Sequence, residues 1–240
     1  DIAQQNPARQ LVFFGVGFET TAPLTAATLR RGKELGLKNF YVLSAHKTMP
    51  QVLKTLLPGS KVDALLCPGH VASITGEELF SFVPRELSLP AVISGFEPVD
   101  ILEAILALLR MKNDSCAKLQ NCYPRVVRRQ GNAFALSMMN EVFSPCDSTW
   151  RGLGRIPDSG LALREEYREF DASQRFAAEI AAGKSYQDHP GCRCGAVLRG
   201  EMEAKSCPLF GRICTPLNPC GACMVSAEGA CAAAYKYGRM

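Results

Sequence analysis

Seven of the eleven cysteines fall in the last fifty of 240 residues, at Cys192, Cys194, Cys207, Cys214, Cys220, Cys223 and Cys231. Thiolates are soft ligands, and a short segment this rich in them holds either a metal or a set of disulfides. The other four cysteines, Cys67, Cys116, Cys122 and Cys146, are scattered over the first 190 residues. The opening DIAQQNPARQ has no basic-then-apolar start of a secretion signal. The expected compartment is therefore the reducing cytoplasm, where a cysteine cluster favours metal or redox chemistry over structural disulfides.

Spacing narrows the chemistry. A zinc ribbon builds its tetrahedron from two C-x-x-C knuckles, and the tail holds one, Cys220 to Cys223. The remaining thiols are irregularly placed among Leu209, Phe210, Ile213, Met224 and Val225, apolar side chains that can wrap a cluster and exclude water. Arg193, Arg199 and Arg212 can offset the charge that four thiolates bring. The pattern favours a 4Fe-4S cluster and leaves open a zinc-stabilised α/β interaction module, with Cys207, Cys214, Cys223 and Cys231 on zinc. A dithiol oxidoreductase working through Cys220 and Cys223 would need a thioredoxin-like setting; the pair sits in a proline- and glycine-rich loop instead.

A second set of chemistry-bearing residues lies upstream, in turns that leave β-prone runs. Gly17-Phe18-Glu19-Thr20-Thr21 follows the first run, Pro68-Gly69-His70 the third, and Gly95-Phe96-Glu97-Pro98 the fourth. Parallel sheets line such turns along one edge, where ligands bind. The repeated Gly-Phe-Glu places Glu19 and Glu97 on a common rim, with His70 as a third candidate. Either glutamate alone reads equally as a carboxylate favoured by a helix dipole. His46 and His189 read as structural. No phosphate loop, dinucleotide fingerprint or nucleophile elbow is present.

The elements that must position these turns alternate. Runs at 11–16, 40–43, 63–67 and 90–94 read as strands buried on both faces of a parallel sheet. Helical patterns occupy 23–36, with Pro23 just inside its start, then 49–57 and 99–111. The implied fold is α/β, a doubly wound parallel-sheet domain followed by a small irregular cysteine-rich iron–sulfur domain. The expected division is 1–125 for the α/β domain, 126–188 for a helical or irregular connector, and 189–240 for the cluster domain. The connector includes an amphipathic helix at 132–142, an irregular β segment starting near Trp150 and a solvated helix over 161–182. A net charge of +4 without a basic run gives nucleic-acid binding no support. The longest apolar stretch, 101–111, carries Glu103 and Arg110 and is too short to span a bilayer.

The segments CRCGAVLRG, CPLFG, CTP and GACMVSAEGAC, with YKY following, resemble the C-terminal part of the HypD family of NiFe hydrogenase maturation factors. GFETTAP, CPGHV, GFEPVDIL, RVVRRQGN and STWRGLG resemble its middle domain, in the same order, from about residue 10 onward. The resemblance implies a scaffold and electron donor for assembling the Fe(CN)2CO group, a maturation role rather than classical turnover. It implies HypC-like and HypE-like partners, a 4Fe-4S cluster on Cys194, Cys207, Cys214 and Cys231, and transient iron with CN and CO ligands. Cys223 is the rival for a place in that set, with Cys192 and Cys220 as bystanders. It also implies a cleft lined by Gly17, Phe18, Glu19, Thr20, Thr21, Pro68, Gly69, His70, Gly95, Phe96, Glu97 and Pro98. The family's N-terminal C-G-T-H and C-P-x-C motifs do not occur here and the chain starts without Met, so a fragment lacking the iron-binding thiol is expected.

Overall fold

In the computed structural model of the protein, residues 1–183 and 189–238 are described; residues 184–188 of the expected connector lie outside them. Along the chain run α1 (Ile2–Gln5), β1 (Leu11–Gly17), α2 (Ala22–Glu34), β2 (Phe40–His46), α3 (Met49–Leu56), β3 (Leu65–Pro68) and α4 (Gly69–Thr75). Then come α5 (Phe82–Leu87), β4 (Ala91–Ser94), α6 (Pro98–Asn113), β5 (Leu119–Asn121), α7 (Ala133–Val142), β6 (Phe143–Trp150) and β7 (Gly154–Leu163). The remaining α-helices are α8 (Ala172–Arg175), α9 (Ala177–Ala182), α10 (Cys194–Leu198), α11 (Ala222–Val225) and α12 (Ala230–Tyr237). The protein is a mixed α/β structure with parallel sheets.

Two compact units share the chain. One comprises Asp1–Gln51, Asp63–Cys146 and Asp158–Gly183; the other comprises Val52–Val62, Asp147–Pro157 and Lys184–Met240. The first holds the expected strands. β1 pairs in parallel with β2, from Leu11 opposite Phe40 to Gly17 opposite His46. β4 lies between β3 and β5, both parallel to it. The strand β5 and helix α4 had no counterpart in the sequence reading, and the segment after β7 begins as a 3-10 turn, Glu165–Phe170, before α8 and α9. Trp150 to Gly154 is the turn between β6 and β7, with Gly152 and Gly154 at positive φ.

The single doubly wound sheet expected from the alternating pattern does not form among the described residues; β1–β2 and β3–β4–β5 are separate sheets. Along β2, Val42 bridges Asp171, Lys47 bridges Gly160 and the Ser44 hydroxyl donates to the Leu161 carbonyl at 2.6 Å, so a distant stretch of chain runs beside this strand. Burial on both faces of β1 is also overturned. Val12, Phe13, Phe14 and Val16 are 45%, 46%, 61% and 56% exposed.

The core of this unit lies on the inner side of β2. α2 presents Ala22, Ala26 and Leu29, spaced along one helical face, to Phe40, Val42, Met139, Val142, Phe143 and Phe170. Pro23 fits the first turn, which needs no amide donor, and Arg31 and Lys33 in the last turn suit the negative end of the helix. A smaller apolar group joins Val92 of β4 to Ala104, Ala107 and Met111 of α6. In the second unit the core is made largely of the tail's cysteines with Ala204, Leu209, Met224 and Ala232. Among the described residues, no helix is long and apolar enough to cross a membrane.

Candidate functional site

The first strand-end turn is built by a glycine and a threonine. Gly17 has φ +131°, and a Cβ there would strike the Thr21 side chain. The Thr21 hydroxyl reaches the Val16 and Phe18 carbonyls at 3.2 and 3.1 Å. Between them Glu19 is folded inward and only 3% exposed. Its Oε1 accepts the Met49 N–H at 2.8 Å, while Oε2 is buried without a hydrogen-bond partner among the described residues. Burial raises the carboxyl above its ordinary value of 4.5, opposed in part by the backbone N–H groups of Met49 and Glu19 itself.

This raised pKa has a sign that can be measured. The stability Glu19 contributes is fully present below its unfolded value and is lost as pH rises through its folded value, because ionisation must then occur without water. Glu19→Gln keeps an oxygen for Met49 and removes the charge. The variant should therefore match the wild type near pH 4 and become the more stable of the two by pH 8, as read from urea midpoints at unchanged m-value.

His46, set aside in the sequence reading, supports the same turn from below. It is 2% exposed; one ring nitrogen lies 3.0 Å from the Thr25 hydroxyl and the other 3.4 Å from that of Thr21. Burial lowers its pKa, and a hydrogen bond to the Gly17 backbone works the other way. Its ring stacks edge-on to Phe143 at 5.8 Å. The clue was the parallel register, which pairs His46 with Gly17. Thr20 is exposed and Phe18 is 38% exposed.

The ends of β3 and β4 form a second group. Pro68 is the N-cap of α4, so His70 sits on that helix's first turn, not in a loop as expected; its ring lies 4.4 Å from that of Phe96. Pro98 occupies the first turn of α6 and Glu97 its N-cap position, without a side-chain capping bond. Glu97 instead pairs with Arg125 at 3.4 Å. Arg125 also grips Asp100 through two hydrogen bonds, of 2.8 and 2.6 Å, and lies 4.5 Å over the Tyr123 ring. The hydrogen-bonded guanidinium holds the Asp100 carboxyl below its ordinary value. Gly69 and Gly95 are needed for this packing: added Cβ atoms would strike the Ser94 carbonyl and the Asp100 carboxylate, respectively. Arg125, Asp100 and Tyr123 were not singled out from sequence: Asp100 and Arg125 lie in the GFEPVDIL and RVVRRQGN segments, but 25 residues separate the two charges and nothing local pairs them. Among the described residues, no hydrogen bond or ion pair joins Glu19 to His70 or Glu97.

In the second unit the tail's thiols converge. Cys192, Cys194, Cys207, Cys214, Cys223 and Cys231 line one small cavity of about 10 Å³ walled by Leu209, Phe210 and Met224. Cys194 is disulfide-bonded to Cys223. Cys194, an expected donor, and its rival Cys223 are thus joined to each other in this structure, and both line the cavity. Cys192, read from sequence as a bystander, remains a thiol facing the same cavity, as do Cys207, Cys214 and Cys231. The Cys231 thiol is pushed up to about 11, first by burial and then by the neighbouring Cys207, Cys214 and Cys192. The sulfur of Cys214 accepts the Cys220 N–H at 3.3 Å. Among the described residues, no three His, Cys, Asp or Glu side chains stand at metal-holding distances. The chemistry of the donor set nevertheless fits an iron–sulfur group: four thiols, apolar walls, and an amide N–H directed at a sulfur.

The chain is thus a mixed α/β protein with carboxylates at two strand ends and a buried, cysteine-lined apolar cavity. The sequence pattern of HypD, described as the hydrogenase formation hypA family, matches residues 1–238, and the chain belongs to the HypD family. It is 43% identical to the hydrogenase maturation factor HypD of Azotobacter vinelandii, over 99% of this chain and 64% of that protein. The corresponding figures are 44%, 98% and 63% for HypD of Escherichia coli K12, and 41%, 99% and 64% for HypD of Rhodobacter capsulatus. The chain thus spans less than two thirds of the length of these relatives.

Proposed function

We propose that this chain is the cluster-bearing part of a cytoplasmic hydrogenase maturation factor, comprising an α/β body and a small iron–sulfur domain. Cys192, Cys207, Cys214 and Cys231 are its four donors to a 4Fe-4S cluster. The observation that carries the reading is the cavity shared by four thiols once the Cys194–Cys223 disulfide is set apart. When bound, the cluster supplies one-electron chemistry to the assembly of iron with CN and CO ligands. The chain's own residues exclude water through Leu209, Phe210 and Met224, and Cys220 directs its amide at the Cys214 sulfur. In the body, Glu19 is a buried carboxyl whose pKa burial raises, and Arg125 pairs with Glu97 next to Phe96, whose ring meets that of His70. Scaffold work with HypC-like and HypE-like partners is part of the same proposal, supported by membership of the family. The zinc alternative loses support because its set includes Cys223, which is committed to the disulfide.

The test is elemental. Protein purified under strict anaerobiosis should carry about four iron and four acid-labile sulfide per chain and a brown absorbance that bleaches on reduction. Colourless protein with stoichiometric zinc would replace this reading with the interaction module.

A further inference from the structure

Cys220 belongs to neither the proposed donor set nor the disulfide, yet the fold places it against a donor. From Cys214 the chain reverses through Thr215-Pro216-Leu217-Asn218. Thr215 and Asn218 are bridged, the Asn218 N–H donates to the Thr215 carbonyl at 3.0 Å, and the Asn218 side-chain amide donates to the Ile213 carbonyl at 3.1 Å. This turn returns the chain so that the Cys220 N–H reaches Cys214 Sγ at 3.3 Å. On its other side the Cys220 carbonyl accepts from the Arg151 guanidinium at 3.1 Å. The two cysteines are therefore held side by side across a short, bonded loop.

We propose that Cys214 and Cys220 form a second dithiol–disulfide couple, which closes in the cluster-free protein and withholds one donor until it is reduced. The proposal rests on the reading of Cys214 as a donor. The oxidant is a low-molecular-weight disulfide, RSSR. Cys220, the more accessible of the two, attacks one sulfur of RSSR, forming a mixed disulfide and releasing the first RSH. Cys214 then attacks the Cys220 sulfur, forming Cys214–Cys220 and releasing the second RSH. The two thiol protons leave on the two RSH molecules, and the two electrons lost by the cysteine pair reduce the S–S bond of the oxidant. A thiol outside the donor set thereby protects a donor from irreversible oxidation while the site waits for iron.

The experiment treats reduced, cluster-free protein with oxidised glutathione under anaerobic conditions. Non-reducing mass spectrometry follows chymotryptic cleavage after Leu217, within the loop. The expected product is a pair of peptides joined through Cys214 and Cys220. Iron uptake during reconstitution should be about fivefold lower than in protein kept reduced, and dithiothreitol should restore it. Cys220→Ser treated in the same way should keep the uptake of the reduced protein. The proposal is overturned if Cys220 is recovered only as a glutathione adduct or joined to Cys192, or if Cys220→Ser loses uptake as the wild type does. Reduced wild-type protein that takes up no cluster would sink the donor reading itself, and the proposal with it, so the two failures are distinct.

Discussion

Replacing Cys192 with alanine should abolish the cluster, whereas replacing Cys194 should leave it in place. The two residues are two positions apart, and the sequence pattern alone favours Cys194. In the structure they part company. Cys194 opens α10 with its sulfur bonded to Cys223, while Cys192 stays a thiol on the wall that Cys207, Cys214 and Cys231 share. Losing one of four thiolates leaves an iron corner without a protein ligand, and site affinity in such centres depends on every donor. Anaerobically reconstituted Cys192→Ala should hold well under about one iron per chain, against about four in the wild type. Cys194→Ala and Cys223→Ala should each retain the iron and the visible band, because they alter only the neighbouring disulfide. Iron analysis with visible spectroscopy on the three variants decides between the two donor sets. A colourless Cys194→Ala beside a brown Cys192→Ala would restore the set that the family resemblance implies.

That contrast shows what a sequence can and cannot carry. Which residues are cysteines, and that they crowd one segment, is plain from the chain; that Cys194 is joined to a partner 29 residues away while Cys192 keeps its thiol is not. The same division runs through the body. Pro23 and the basic residues before Gly36 mark α2 by local rules, and the apolar runs mark β1, β2 and β4. The split of the strands into two sheets is not local. Nor is the return of residues 158–172 to β2, a contact made across more than a hundred positions. Nor does composition reveal that β1 carries its apolar side chains outward, since an apolar β-prone run looks the same whether or not its faces are covered. The rim was legible as motifs and misread in its connections. Glu19 turns inward toward Met49, Glu97 outward toward Arg125, and His46, expected to be structural, is buried against Thr25 and Thr21.

Phe170→Ala should be the most damaging single change in the body. Phe170 ends the 3-10 turn that follows β7 and is 1% exposed, packed in the core with Leu29, Phe40 and Val42. Its ring also faces Gly32 of α2, where an added Cβ would lie 3.6 Å from it. The residue therefore joins three stretches distant in sequence: the helix α2, the strand β2 and the returning segment whose Asp171 bridges Val42. Truncating a buried phenylalanine removes its transfer free energy and leaves a cavity, at a cost of about 3–5 kcal/mol. Against a total stability of about 5–15 kcal/mol, that is a large share. The surrounding side chains come from both elements of the β1–β2 layer, so collapse into the void would have to move backbone as well as side chains. Urea unfolding followed by circular dichroism should show the midpoint falling at near-constant m-value. Phe96→Ala makes the control, since that ring is 61% exposed and should cost far less. Equal losses in the two variants would mean that the segment 158–172 does not close the core over β2.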